Sequence, residues 1–330
     1  MAELAHFKNF AKLKDTSVEF NDITVLAGKP GTGKSYVMKY FYAINEMLSK
    51  IEEDSLFEFS LEQRINSKIF YLHNLILSIF TKHEQVSSKY SIKLDNLEIE
   101  YDSSVLNINF KSFEPLKKKV NILFVETPLI LEFKKFMNHE KGKTPYHIES
   151  LLNILDANYS FMDKEQEKFI KNFREKAQSI IDGDIENSGD SFIFNREGDK
   201  NYDILNASSG IKSIGLLQYL VTNKALKKGS ILFWEEPEVH LHPSWQLKMV
   251  DLFVELMNAG VKIVFSTHSP YMADYLNAIS KRNGYRDRIS FNVLDERDGV
   301  VTNHILDDDN WNILQKELMD TFEDILWQYL

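Results

Sequence analysis

The first fifty residues show two hydrophobic patterns in succession. Ile23 to Ala27 form a mainly apolar run that stops at a glycine, which is typical of a buried β-strand. From Lys34 to Ser49, apolar residues recur at spacings of three and four, which predicts a helix with one buried face. The chain therefore begins with a strand, a glycine-containing turn and a helix.

The middle of the chain has a different texture. Between Ser91 and Phe110, apolar and polar residues alternate on both sides of a break at 102–104, which predicts a β-hairpin. Residues 120–125 form another predicted strand. Residues 127–181 follow helical spacing apart from a polar break at 139–144, and their mixed charge is that of a solvated lid rather than a nucleic-acid groove. We therefore predict a helical insertion here.

Strands and helices alternate in the last third of the chain. The predicted strands are 191–194, 203–205, 230–234 and 261–266, and a final hairpin joins 289–294 to 300–306. The predicted helices are 211–223, 244–258 and one that begins near Asp309. Strands that alternate with helices predict an α/β fold with a mostly parallel sheet.

Composition excludes several classes of protein. With 43% hydrophobic and 27% charged residues, the 330-residue chain can bury a sizeable core and is not a disordered protein. A formal net charge of -10 disfavours non-specific binding of nucleic acid over the whole surface, although it does not exclude a local basic patch. The absence of cysteine excludes disulfides, thiolate zinc sites and a cysteine nucleophile. The N-terminus lacks the pattern of a signal peptide and no apolar stretch approaches the roughly 20 residues that span a bilayer, so we expect a cytoplasmic protein.

The turn between the first buried strand and the first helix matches the phosphate-loop pattern G-x-x-x-x-G-K-[ST]. Glycines let such a loop wrap with its amide groups pointing at phosphate oxygens, and the helix N-terminus adds partial positive charge. Lys34 is expected to reach the β- and γ-phosphates of ATP, and the Ser35 hydroxyl to bind Mg²⁺. The predicted loop consists of Gly28, Lys29, Pro30, Gly31, Thr32, Gly33, Lys34 and Ser35.

Two carboxylates follow the apolar run 231–234. The end of a buried parallel strand is where ligands bind in such sheets. Glu235 is expected to hold Mg²⁺, directly or through water, and Glu236 to act as the base or the orienting group for the attacking water. An aspartate is usual at the first position, and the longer arm of Glu235 predicts slow turnover. The alternative is an acidic loop after an ordinary strand.

Four short segments near the two ends of the chain have distinctive sequences. The run Glu-Glu-Pro-Glu-Val-His-Leu-His-Pro at 235–243 resembles the acidic-Glu-Pro-Glu-x-x-Leu-His-Pro run of the ABC-type ATPases related to RecF, SMC and the OLD nucleases. Residues 206–213 resemble the signature motif Leu-Ser-Ser-Gly-x-Lys, with Ala207 in place of the large apolar residue. Residues 265–270 are similar to the switch-histidine segment, and 7–10 to the first strand.

This resemblance implies a fold and its domains. It implies an α/β, P-loop NTPase fold of the ABC-type head, with a mostly parallel sheet, an antiparallel β subdomain and a helical insertion. We expect the head to comprise an N-terminal part at 1–62, a hairpin-containing part at 63–126 and a C-terminal part at 186–330. The helical insertion is expected at 127–185.

The resemblance also implies a composite active site. In the family, the signature binds the γ-phosphate that another subunit's phosphate loop holds, so ATP completes the site only in a head-to-tail homodimer. Ser208, Ser209 and Gly210 take that role here, and His268 is expected to hydrogen-bond the γ-phosphate or the attacking water. Without this context, Ser-Ser-Gly is an ordinary helix cap and anion site.

Three further side chains keep more than one interpretation. His240 and His242 have the spacing of metal ligands on a strand, yet they follow a proline turn without cysteine or a third histidine nearby. Contact of this loop with a partner head is the favoured interpretation. Glu126 occupies the position of the family's glutamine before the helical insertion, where it either reaches Mg²⁺ or water or simply ends a strand.

The predicted function is ATP binding with slow hydrolysis, coupled to closure of two heads. Only about sixty residues follow His268, which leaves no room for the Toprim nuclease of OLD proteins, and the middle lacks the heptads of an SMC coiled coil. By analogy, such a head regulates an effector protein, a nuclease or a toxin, in bacterial anti-phage defence. The alternatives are a RecF-like DNA-repair ATPase that binds DNA directly and a nucleotide sensor with negligible hydrolysis.

Overall fold

The computed structural model describes residues 3–319 except 50–69, 77, 80–88, 95–96, 103–104, 111–119, 138–143, 158–163, 197 and 199. The chain divides into two compact units, the first made of Met1–Lys119 with Val264–Leu330 and the second of Val120–Ile263. Each unit has its own layers and its own part of the predicted site.

The described residues contain fourteen strands, nine α-helices and two short 3₁₀-helices, at Ile204–Asn206 and Arg286–Arg288. The strands are β1 (Glu3–Phe10), β2 (Leu13–Phe20), β3 (Ile23–Ala27), β4 (Lys89–Leu94), β5 (Leu97–Asp102), β6 (Val105–Phe110), β7 (Ile122–Val125), β8 (Gly183–Asn187), β9 (Phe192–Arg196), β10 (Tyr202–Asp203), β11 (Ile231–Glu235), β12 (Lys262–Thr267), β13 (Ile289–Arg297) and β14 (Val300–Ile305). The helices are α1 (Lys34–Ser49), α2 (70–76 and 78–79), α3 (Ile130–Met137), α4 (Tyr146–Asp156), α5 (Lys164–Ile181), α6 (Ser209–Thr222), α7 (Pro243–Asn258), α8 (Pro270–Asn283) and α9 (312–319).

The first unit is built on a sheet with the strand order β6-β5-β4-β1-β2-β14-β13-β3. β13 runs parallel to β3, and this pairing sets Val293 beside Ala27 at the end of β3. The pairs β1–β2, β1–β4, β4–β5, β5–β6 and β13–β14 are antiparallel. The antiparallel part therefore extends further than the alternation of strands and helices predicts, while the strand before the phosphate loop keeps a parallel neighbour.

Burial explains the position of α1 in the first unit. Every residue of β3 is buried, and α1 is buried on most of its surface, with the five consecutive residues 40–44 all buried, which exceeds the single buried face that its sequence predicts. Phe20 of β2 stacks on Phe41 of α1 with ring centroids 3.7 Å apart. β3 and α1 are thus held firmly on both sides of the predicted loop.

The second unit pairs β7 with β11 in parallel, and a small antiparallel sheet has the order β10-β9-β8. Phe124 stacks on Phe233 across the parallel pair. In α6, the amide of Gln218 donates to the Gly183 carbonyl and to the Asp184 carboxylate, which fixes the helix against the start of β8. Helices α3, α4 and α5 lie where the sequence predicts a helical insertion.

Some sequence predictions differ from the structure in detail. The alternating region 91–110 forms three strands, β4, β5 and β6, and not one hairpin. Helix α8 was not predicted, although Ser269 as N-cap, Pro270 in the first turn and Gly284 after the helix are standard helix signals. The predicted turn residues 103–104, 197 and 199 and the polar break at 139–143 lie outside the described residues. Within the described part of the chain, no helix is long and apolar enough to cross a membrane.

Candidate functional site

The predicted phosphate loop follows β3 and has the backbone of a glycine-dependent turn. Gly28, Gly31 and Gly33 have φ angles of 135°, 81° and 92°, a region that residues with a side chain rarely adopt. At Gly28 a Cβ atom would lie 2.2 Å from the backbone oxygen of Leu294. Glycine is required there because the β3–β13 register brings Leu294 beside the loop.

The side chain of Lys34 is buried against the backbone of the loop. Lys34 is 5% exposed, and its Nζ donates to the backbone oxygens of Gly28 at 2.7 Å and Lys29 at 2.8 Å. The Thr32 hydroxyl also donates to the Lys29 carbonyl at 2.9 Å. The loop is therefore already wrapped around an ammonium group that phosphate oxygens attract.

These features fit a nucleotide with Mg²⁺. Helix α1 begins at Lys34, so its N-terminus and the positive end of its dipole lie at the end of the loop. Ser35 follows in the first turn and is an exposed residue. The amide and ammonium groups of the loop are hydrogen-bond donors that suit an anion. The hydroxyl oxygen of Ser35 is a ligand that suits a hard cation.

The carboxylate segment, residues 235–243, lies in the second unit and turns sharply after β11. β11 ends at Glu235, and Glu236 adopts a left-handed φ of 45°. His240 is also left-handed, with a φ of 67°. The amides of Val239 and Leu241 donate to the carbonyls of Glu236 and Glu238, so two successive tight turns reverse the chain. Backbone strain of this kind is concentrated at functional sites.

The predicted signature begins α6 in the same unit. The Ser208 hydroxyl caps the helix by accepting a hydrogen bond from the Ile211 amide at 3.4 Å. Lys212, which is only 4% exposed, pairs with Glu132 of α3 at 2.6 Å and donates to the Leu205 carbonyl. Lys212 therefore anchors the start of α6 to the helical insertion, a role that its place in the motif did not reveal.

The signature and the turn after the carboxylates share one pocket. A pocket of about 370 Å³ is lined by Ser208, Ser209, Gly210, His240, His242 and Trp245. The N-cap of α6 is Ser208 and that of α7 is His242, so two helix N-termini face the same space. A Cβ atom on Gly210 would lie 3.3 Å from the Trp245 ring and 3.4 Å from the His240 carbonyl, which explains a glycine at this position.

His242 caps the start of α7 with one nitrogen of its ring. Its Nδ1 accepts a hydrogen bond from the Ser244 amide at 3.3 Å and lies 2.8 Å from the Ser244 hydroxyl. When Nδ1 accepts, the neutral ring carries its proton on Nε2, which leaves a donor for an anion. Among the described residues, no group of three or more His, Asp and Glu residues is arranged to hold a metal ion. The pocket therefore presents two helix N-termini, which attract an anion.

Two other predicted residues have clear local settings. His268 lies in the first unit between β12 and α8, and the next residue, Ser269, caps α8 through the Met272 amide. Glu126 follows β7 in the second unit and lies 3.3 Å from Nε2 of His147, which is 2% exposed. His147 belongs to α4, so the helical insertion holds the Glu126 side chain.

The two units divide the predicted site residues between them. The phosphate loop and His268 belong to the first unit, whereas Glu235, Glu236 and the signature belong to the second. The structure brings the signature together with His240 and His242, for which the sequence left two interpretations, a metal site and the favoured contact with a partner head. Trp245 was missed because an amphipathic helix supplies an aromatic residue of this kind to a core as readily as to a site.

The sequence of this chain matches one family model. Residues 77–274 match the family described as "AAA domain, putative AbiEii toxin, Type IV TA system". The match spans more than half of the chain and includes the signature, the carboxylate segment and His268, whereas the phosphate loop precedes it. The chain belongs to this family. The comparison with curated proteins found no match.

The fold is similar to that of solved SMC heads. A crystal structure of the SMC head bound to the C-terminal winged-helix domain of ScpA has 14% identity and a TM-score of 0.56, with 93% of this chain and 98% of that chain covered. The SMC head domain from Thermotoga maritima has 11% identity and a TM-score of 0.51, with 93% and 99% covered. The chain therefore has the α/β fold of these SMC head domains.

Proposed function

We propose that this protein binds ATP with Mg²⁺, hydrolyses it slowly and uses ATP to join two copies head to tail. The observation that carries the proposal is the pocket at the signature, where the N-termini of α6 and α7 face the same space. Two helix N-termini attract an anion more strongly than one does. A pocket of this kind on one copy is suited to a phosphate group that another copy presents.

The phosphate loop supplies the other half of this composite site. Its glycine backbone and Lys34 would hold the β- and γ-phosphates, and Lys29, Pro30 and Thr32 complete the turn. Ser35 and Glu235 would hold Mg²⁺, which neutralises phosphate charge when it is bound. These roles follow from the chemistry of the residues and from the family resemblance.

In the proposed site, the pocket residues act on the terminal phosphate. Ser208, Ser209 and the backbone at Gly210 would bind it through the start of α6. The Nε2–H of His242 would add a donor from the start of α7. In the proposed dimer, the role of His242 is thus to bind the phosphate that the partner head presents, and not to bind a metal ion.

Hydrolysis is assigned to the carboxylates and the switch histidine. Glu236, whose left-handed backbone follows β11, would orient or deprotonate the attacking water. His268 would hydrogen-bond the γ-phosphate or that water. Glu235 stands where an aspartate is usual, and this favours a second candidate function, a nucleotide sensor with negligible hydrolysis.

We further propose that the ATP state of the dimer regulates an effector protein, a nuclease or a toxin, in the cytoplasm. The family description names a toxin and a toxin–antitoxin system, which agrees with a role in defence against phage. A net charge of -10 favours a protein partner over direct DNA binding as in RecF. Purification of the native protein with its partners tests this part of the proposal.

Sedimentation of three proteins tests the core of the proposal. Glu236→Gln keeps the shape of the side chain but removes its charge, so this variant should form an ATP-dependent dimer that does not hydrolyse. The wild type should dimerise transiently, and Lys34→Ala should stay monomeric because it does not bind ATP. Wild-type turnover in Glu236→Gln moves the catalytic role elsewhere, and nucleotide affinity unchanged in folded Lys34→Ala contradicts the phosphate-loop assignment.

A further inference from the structure

Helix α9 places a carboxylate on the phosphate loop. Oε1 of Glu317 accepts a hydrogen bond from the backbone amide of Lys29 at 3.3 Å. Oε2 of Glu317 lies 3.7 Å from Nζ of Lys29. The Glu317 side chain keeps only 11% of its surface exposed, although the lysine side chain is 56% exposed. An acidic side chain of the protein itself therefore contacts a loop that has the sequence and the backbone of a phosphate-binding loop.

The helix that carries Glu317 is firmly attached to the first unit. Leu314 is fully buried, and Nε1 of Trp311 donates to the Asp274 carboxylate at 2.8 Å. The Trp311 ring also packs edge-on against Phe291 with centroids 4.9 Å apart. These contacts lie before Glu317 in the chain, so the last described turn of α9 can leave the loop while the base of the helix stays in place.

A carboxylate on this loop opposes the binding of a triphosphate. Both groups are anions, and Glu317 occupies the amide and lies near the ammonium group of Lys29, which belong to the eight-residue loop that would attract phosphate. The Debye length is about 8 Å at physiological ionic strength, so salt screens their repulsion only in part. Binding of ATP is consequently easier when Glu317 has moved away from Lys29.

We propose that Glu317 is an intramolecular competitor of ATP. In the nucleotide-free state its carboxylate holds Lys29, and the triphosphate displaces it together with the last turn of α9. ATP occupancy is thereby coupled to the position of the C-terminal helix. The proposal rests on the proposed function in one respect, because it takes the loop to be the ATP site.

Calorimetric titration with ATP and Mg²⁺ tests the competition. Glu317→Gln removes the charge and keeps the shape, so it should lower the Kd for ATP about fivefold. Glu317→Lys should lower it more than tenfold because attraction replaces repulsion. Asp287→Asn is the matched control: Asp287 precedes β13 at the opposite end of the β3–β13 pair, and its charge change should leave the Kd within twofold of wild type.

Amide hydrogen exchange gives a second readout that a merely structural role does not move. ATP should accelerate exchange in 312–319 of the wild type, and Glu317→Gln should show the faster exchange without ATP. Equal Kd values for wild type and both Glu317 variants, or slower exchange of α9 with ATP, overturn the competition alone. A wild-type chain that binds no ATP overturns the proposed function and the competition together.

Discussion

Replacement of Gly28 by alanine is the sharpest test of how the phosphate loop is held. The new Cβ atom would lie 2.2 Å from the Leu294 backbone oxygen. Leu294 lies in β13, which pairs with both β3 and β14, so its carbonyl cannot move without disturbing the sheet. The overlap has to be relieved by a shift of the loop itself.

The cost has two parts. A backbone φ of 135° is strained for alanine by about 1–3 kcal/mol. Relief of the overlap adds about 1–3 kcal/mol, as in other overpacked sites. We therefore expect Gly28→Ala to lower the free energy of unfolding by about 4 kcal/mol, which corresponds to a fall in Tm of about 6 °C for a chain of 330 residues.

Gly31→Ala provides the matched control for this prediction. Gly31 has a φ of 81°, and nothing lies within 4 Å of a Cβ atom placed on it. This variant carries the backbone strain without the overlap, so it should lose about 1–2 kcal/mol. Thermal unfolding without nucleotide compares the two proteins. Equal stability of the two variants refutes the argument that Leu294 excludes a side chain at position 28.

Two further predictions concern the second unit. Glu132→Gln leaves the buried ammonium of Lys212 without its carboxylate, so the free energy of unfolding in urea should fall by about 3 kcal/mol. Glu175→Gln, the control at an exposed ion pair, should change it by less than about 1 kcal/mol. A urea midpoint equal to that of wild type for Glu132→Gln contradicts this prediction. The hydrogen bond from the Leu205 amide lowers the pKa of Asp203, so its contribution to stability is present above about pH 4 and is lost as the pH falls through the lower folded pKa. Asp203→Asn should therefore destabilise the protein at pH 7, and the difference from wild type should shrink as the pH falls below about 4. Urea midpoints that differ equally across this pH range rule out this role.

Local patterns predicted the strand, loop and helix at the start of the chain. The apolar run of β3, the glycines and the spacing in α1 are all contained in about 25 neighbouring residues, so no distant contact is needed to recognise them. The same holds for β11 and the start of α7. The structure has these elements at nearly the bounds that the sequence predicts.

The pocket and the loop contact of α9 depend on distant segments. The N-termini of α6 and α7 are separated by more than thirty residues of sequence. No pattern in either segment predicts that the two N-termini line the same pocket. Glu317 meets Lys29 across 288 residues of sequence, and a single acidic residue on a helix is ordinary on a solvated face. Hydrophobic periodicity reports which face of an element is buried, but not which element it meets.

Recovery of ATPase activity on mixing two inactive variants is the most direct test of the composite site. Gly210→Asp places a carboxylate in the signature pocket, where two anions about 4 Å apart repel by about 4 kcal/mol at an effective dielectric constant of 20. Its own phosphate loop is intact, so it should bind ATP as a monomer but not dimerise. Lys34→Ala has an intact signature and a defective loop.

A mixed dimer of these variants carries both defects in one of its two sites and leaves the other site intact. Partial recovery of ATP hydrolysis on mixing, with sedimentation as an ATP-dependent dimer, is the result that head-to-tail closure predicts. A wild-type chain that hydrolyses ATP at its full rate as a monomer, with no recovery when the two variants are mixed, would contradict it.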